Sequence, residues 1–345
     1  MIWLAWRQFR VPAAMTFAAL TVLAAVLAVT GPDLADEYAS GAAACGTADD
    51  CSMFPVQFFA EHRTAYFALL AAILALPAII GLFWGAPLVA RELEAGTHRL
   101  AWGQSVTRAR WLAVKLGLIG LVTVTVVGLG TLAVSWWSVP LDKTSGDDLS
   151  RMTPLVFDGR GIVPMAYAAF AFALGVTAGM LIRRTLPAMA LTLAVFAAVQ
   201  VAVPQLVRPH LLPPTRTTTT ITSANLGSLM AEKLDSPIWV RVKVPDAGAW
   251  VLANETIDAS GRTVDTLPFT LHSPPCGSSR KDGPARSLGP EKCIAEINRL
   301  GYKQRLVYQP AGRFWALQWA ETGLYTVATL GLVGFCFWWI RRRLS

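Results

Sequence analysis

The chain has 345 residues, 54% of them hydrophobic and only 15% charged, with a formal net charge of +8 and a mean hydropathy of +0.46. A soluble domain of this size carries about 25% charged residues, so the composition excludes one. The basic excess does not mark a nucleic-acid-binding protein either, because the charges gather at the ends of long charge-free windows.

Six such windows, of 19 to 27 residues, run through 11–32, 64–90, 116–141, 161–182, 185–207 and 322–340. About 20 apolar residues at 1.5 Å rise cross a ~30 Å hydrocarbon layer, so each window is long enough to span it as a helix. The expected fold is an all-α polytopic membrane protein of six transmembrane helices, with a small α+β extracytoplasmic domain between helices 5 and 6. Its parts are an interfacial helix at 1–10, helices 1–5 at 11–203, the domain at 204–313, and helix 6 with a basic tail at 314–345.

In chain order, residues 1–10 place Ile2, Trp6 and Phe9 on one helical face with Arg7 and Arg10 elsewhere. That pattern fits a helix lying in the headgroup plane, and equally an extension of the first span. The first window exceeds a signal-peptide core and lacks a clear cleavage site, so it is expected to stay as a helix. Cys45 and Cys51 fall in the loop that follows, and Cys276 and Cys293 in the long segment after the fifth window. Two local pairs without CxxC spacing or a histidine cluster predict two disulfides in an oxidising compartment.

With an inside N-terminus, the inside segments hold 12 Lys/Arg against Glu92 and Glu94, and the two short outside loops hold 4 Lys/Arg against 10 acids. This positive-inside asymmetry puts both termini in the cytoplasm. Arg108, Arg110 and Lys115 read as anchors to lipid phosphates. In the long outside segment, 204–214 and 217–220 read as an exit linker and 226–234 as a short amphipathic helix. Further on, 238–244 reads as a strand, Ser260–Gly261 as a hairpin turn, 291–300 as a helix stopped by Gly301, and 303–309 as a strand.

Catalytic signatures are absent from the sequence. It contains no GxxxxGK[ST] phosphate loop, no HExxH and no GxSxG, and its four histidines, His62, His98, His210 and His272, are scattered. Metal ligands are therefore not expected. Two polar features call for partners inside a membrane. Helix 6 carries Gln318, Thr322, Tyr325 and Thr329 at i, i+4, i+7 and i+11, with Glu321 beside them, and Gln200 lies in helix 5. Such groups face other helices or a translocation path, although Glu321 also fits the outer interface beside Trp315 and Trp319.

The loop between helices 2 and 3, RELEAGTHRLAWGQSVTRARWLAVK at 91–115, carries charge that topology alone does not explain. Helix 2 is expected to run through Glu94 and end at Gly96, 97–102 to form one or two helical turns, and Thr107 to cap helix 3. This string resembles the inside loop of permease subunits of ABC-2-type exporters, in which an E-x-E-x-G-T segment precedes a short coupling helix. The stretch YQPAGRFWALQWAETGLY before helix 6 resembles actinobacterial members of that family.

The resemblance implies a permease with no ATPase activity of its own, forming the path for an amphipathic drug-like molecule, lipid or peptide. It implies two copies of a separate ATPase that binds ATP and Mg, a second permease chain forming a homodimer, and a bacterial plasma membrane location. The coupling residues it implies are Glu92, Glu94, Gly96, Thr97, His98, Arg99, Leu100, Trp102 and Arg108. The two glutamates would tie helix 2 to the coupling segment through Arg91, Arg99, Arg108 or Arg110. A membrane-anchored sensor and a membrane-embedded enzyme using the outside domain are the competing readings.

Overall fold

The computed structural model describes residues 2–45, 51, 53–96, 107–144, 149–233, 236–270, 275–276 and 290–342, without the side chains of 2–9, Pro12 and Pro290. It divides into two units, 1–211 with 314–345, and 212–313. Among the described residues, six helices are long and apolar enough to cross a membrane.

The first unit opens with α1 (Ile2–Cys45), unbroken at Pro12, so the extension of the first span is what forms. The expected loop after it is largely helical too, since α2 (Met53–Ile80) starts within eight residues. A π-turn at Gly81–Gly85 joins α2 to α3 (Ala86–Glu94), just ahead of Pro87, which has no N–H for a regular ladder. Then follow α4 (Arg108–Trp137), the short α5 (Val139–Asp142) and α6 (Pro154–Asp158), α7 (Val163–Ile182) and α8 (Thr185–Ala202).

The central helix is α7, buried along most of its length. It crosses the α2–α3 junction at glycines spaced four apart on both sides, Gly81 and Gly85 against Gly175 and Gly179. A methyl group on Gly85 would sit 2.6 Å from the Phe172 carbonyl oxygen, and one on Gly175 2.7 Å from the Ala86 nitrogen. Where lipid removes the hydrophobic drive between helices, such close backbone approach supplies the packing.

The fifth span does not end at Pro204. A second π-turn at Val203–Val207 absorbs the proline, and the helix resumes as α9 (Arg208–Leu211). Residues 204–211 thus belong to the membrane unit, and this part of the expected linker is helix.

The second unit is a small α+β fold of β1 (Thr215–Thr219), β2 (Leu226–Ala231), β3 (Ile238–Val242), β4 (Trp250–Ile257), β5 (Thr263–Val264), α10 (Pro290–Arg299) and β6 (Lys303–Gln309). The order β1-β6-β4-β5 makes one antiparallel sheet, and β2-β3 makes a hairpin. Residues 217–219, expected in a linker, form most of the edge strand β1. Residues 226–231, expected in a helix, are strand as well. A register shift between Leu226 and Ser228 brings Leu226 and Leu229, three apart, to the same core and so imitates helical spacing. Buried Gln304 links the sheets, donating to the Val240 carbonyl (3.1 Å) and Asn254 Oδ1 (2.7 Å). Gly261 at φ +84° and Gly301 at φ +82° hold the left-handed positions expected of a turn and a helix stop. Cys276–Cys293 and Cys45–Cys51 are disulfide-bonded, and Cys336 is a buried free thiol.

The last helix, α11 (Phe314–Arg342), returns to the membrane unit after a short 3₁₀ turn. Replacing Gly175 with valine is expected to force α2–α3 and α7 apart and cost about 2–3 kcal/mol, whereas Gly331→Ala, where nothing approaches within 4 Å, should be neutral. Thermal unfolding of the two variants in detergent measures the contrast.

Candidate functional site

Two polar assemblies stand out in the membrane unit. The first gathers at the end of α3. The helix stops at Ala95, and Gly96 takes φ +70°, the left-handed turn that an L-side chain resists. Thr107 accepts the Arg110 backbone N–H at 3.3 Å and caps α4, as its position in the sequence suggests. Glu92 pairs with Lys115 on α4, and the Lys115 ammonium also lies 4.6 Å from the Trp111 ring centroid. Glu94 accepts from the Thr185 backbone N–H (3.1 Å) and hydroxyl (2.8 Å), capping α8 from a neighbouring helix.

The described bonds of the two glutamates run to α4 and α8. Lys115, read as a lipid anchor, is only 5% exposed and serves this pair instead. Thr97, His98, Arg99, Leu100 and Trp102 lie outside the described residues.

The second assembly lies where α6, α7, α9 and α11 meet. Arg208 and Glu321 are both fully buried. The guanidinium donates from Nε to Glu321 Oε2 (2.6 Å) and from Nη2 to Glu321 Oε1 (2.9 Å), a two-point pair. It also pairs with Asp158, contacts the Tyr167 hydroxyl (3.2 Å) and lies over the Phe157 ring. The Tyr167 hydroxyl lies within hydrogen-bond distance of Glu321 Oε1 (2.5 Å) and Asp158 Oδ1 (2.9 Å), two acceptors for its single proton. Burial pushes the Asp158 carboxyl up to about 6, with Arg208 opposing and Glu321 reinforcing the rise.

The polar residues of the sixth span divide accordingly. Gln318 accepts from the Ile162 and Val163 backbone N–H groups (both 3.0 Å) and donates to the Phe157 carbonyl (3.2 Å), so it caps α7. Tyr325 donates to Gln200 Oε1 (2.9 Å), joining two residues that the sequence offers separately. The Thr329 hydroxyl returns to the Tyr325 carbonyl, and that of Thr322 has no partner among the described residues. Glu321 is packed wholly inside the helices, whereas Trp315 and Trp319 of the same helix are 55% and 65% exposed.

Arg208 is the residue that sequence reading misses, because Pro204 suggested that the helix had ended. The available signal was complementary charge: a lone arginine just past one window and a lone glutamate just before another.

No nucleophile–base pair emerges from either assembly, and among the described residues no three His, Cys, Asp or Glu side chains gather to hold a metal. The second assembly is a clamp of charge on charge across four elements.

Leaving one buried ion unpaired costs about 3–5 kcal/mol. Arg208→Ala, which leaves Glu321 with no ion-pair partner among the described residues, should therefore destabilise the protein by that order, against under 1 kcal/mol for Thr329→Ala, in detergent unfolding. Asp158 generates a pH dependence as well. Its carboxyl titrates near 3.9 when unfolded, so between pH ~4 and ~6 the fold holds a proton that the unfolded chain has lost. This contribution is complete below about pH 4 and lost as pH rises through about 6. Lowering pH from 7 to 5 should stabilise the wild type relative to Asp158→Asn by about 1.3 kcal/mol in the same assay.

Residues 17–208 match the family model described as ABC-2 membrane transporter related, more than half of the chain. No curated protein and no solved structure matches the chain.

Proposed function

The chain belongs to the ABC-2 membrane transporter related family, and from that premise we propose that it is the permease subunit of an ATP-binding-cassette exporter. It is a multi-pass membrane protein and a transporter component. In our reading a separate ATPase docks on residues 97–102 at the cytoplasmic face and binds ATP and Mg itself. Two ATPases serve two identical permease chains in a bacterial plasma membrane, with both termini inside. The transported molecule is amphipathic.

The observation that carries this reading is the bonding at the end of α3. The segment after Glu94 leads directly into the proposed docking site, and Glu92 and Glu94 join α3 to the second turn of α4 and the start of α8. A push on the loop is delivered to three spans together, which is how a rigid coupling element drives alternation between two states. In this reading the Arg208–Glu321 clamp, with Gln200, Gln318, Thr322, Tyr325 and Thr329 around it, belongs to the other end of the moving helices.

Affinity purification from native membranes in mild detergent should recover an ATP-binding-cassette ATPase by mass spectrometry. Glu94→Ala combined with Arg99→Ala should lose the ATPase or reduce its coupled hydrolysis at least about tenfold, while the permease remains monodisperse. Well-folded protein that carries no ATPase, even with its genomic neighbours co-expressed, would overturn the coupling role.

A further inference from the structure

Away from both assemblies, α1, α2 and the end of α4 enclose a cleft of about 520 Å³. That volume falls within the range of small-molecule sites. Its lining is mainly apolar, and its charged side chains lie toward one end. Leu23, Leu27 and Leu69 line one part, with Trp137, whose indole N–H donates to Thr30 Oγ1 at 3.0 Å and ties the α4 wall to α1. Asp33 and Glu37, one helical turn apart on α1, line the other end with His62 of α2. From Leu23 to Glu37 the cleft follows α1 for about 20 Å.

The charge at this end is unbalanced. Among the described residues the only basic group within ion-pair distance of either carboxylate is His62, 3.6 Å from Glu37, and its Nδ1 already meets the Phe58 carbonyl oxygen at 3.1 Å. No lysine or arginine of the described residues reaches Asp33 or Glu37. Two carboxylates above an apolar, aromatic-walled slot complement a molecule with a positive head and a hydrophobic body, and they disfavour an anion of the same size. Asp33 and Glu37 belong to the two loops read as outside, whose other eight acids against 4 Lys/Arg carry net charge of the same sign.

We propose that this cleft binds a lipophilic organic cation, with Asp33 and Glu37 receiving the charge and the Leu27–Trp137 end receiving the apolar body. The proposal rests on the permease reading only for the meaning of the binding, since it names the substrate class. The binding itself needs no ATPase.

The test uses the full chain in nanodiscs of zwitterionic phosphatidylcholine, without the ATPase. Equilibrium dialysis compares tetraphenylphosphonium with tetraphenylborate, ions of matched size and opposite charge. Saturable binding of the phosphonium is expected, at least about tenfold tighter than the borate. Asp33→Asn with Glu37→Gln should weaken it about tenfold, because two exposed carboxylates become neutral isosteres. Val26→Trp, at a half-exposed cleft position, should weaken both ions by filling the slot. No saturable phosphonium binding, equal affinity for the two ions, or affinity unchanged in both variants would each overturn the assignment. Failure here leaves ATPase co-purification intact, and failure to co-purify an ATPase leaves this binding intact, so the two outcomes are separable.

Discussion

Arg208 and Glu321 are both removed from solvent, and neither charge is tolerable there without the other. Their two-point contact requires the end of the fifth span and the start of the sixth to meet at one depth and one rotation. Asp158 and Tyr167 add further contacts to the pair, which draws the connection before α7, and α7 itself, to the same place. Gln318, one turn before Glu321, caps α7 on that face, and Tyr325, one turn after it, reaches Gln200. A single buried charge pair thereby sets the order in which three of the six spans pack.

The remaining spans are organised by shape. The glycines of the α2–α3 junction and of α7 bring backbones to a separation that any side chain would forbid. The π-turn at Gly81–Gly85 lies within that crossing, and a second π-turn at Val203–Val207 precedes Arg208. A π-turn widens the helix by one residue and re-aims everything beyond it. The first precedes the α3 end, where Glu92 and Glu94 bond to α4 and α8. The second turns Arg208 inward while Leu206 stays 70% exposed. Both proposed working regions of the transporter thus lie directly after an irregular turn.

Much of this architecture is legible in sequence because lipid imposes a severe rule. A span needs an unbroken apolar run, and each interruption must be placed where it can be satisfied. The six windows, the two cysteine pairs, the stop at Gly96 and the Thr107 cap follow from local chemistry and appear where they were expected. The misreadings share a cause: local pattern was overridden by contacts distant in sequence. Pro204 signals an ending, yet a π-turn accommodates it and the buried Arg208 pair holds the helix beyond. Leu226 and Leu229 have helical spacing, yet a bulged pairing with β3 makes them strand residues.

Local pattern accounts for the number of spans, a small strand-containing region after the fifth span, the polar character of the sixth span and the loop that resembles an ABC-2 coupling segment. These depend on runs and spacings within a few helical turns. The tertiary structure alone decided which charge meets which. Lys115 faces Glu92, Thr185 faces Glu94, and Arg208 faces Glu321 across 113 residues. It alone disclosed the acidic-ended cleft, because Asp33 on α1, His62 on α2 and Trp137 on α4 share a wall only once the helices have packed. A charge in a sequence states that a partner is required, and only the packed bundle determines which partner lies within reach.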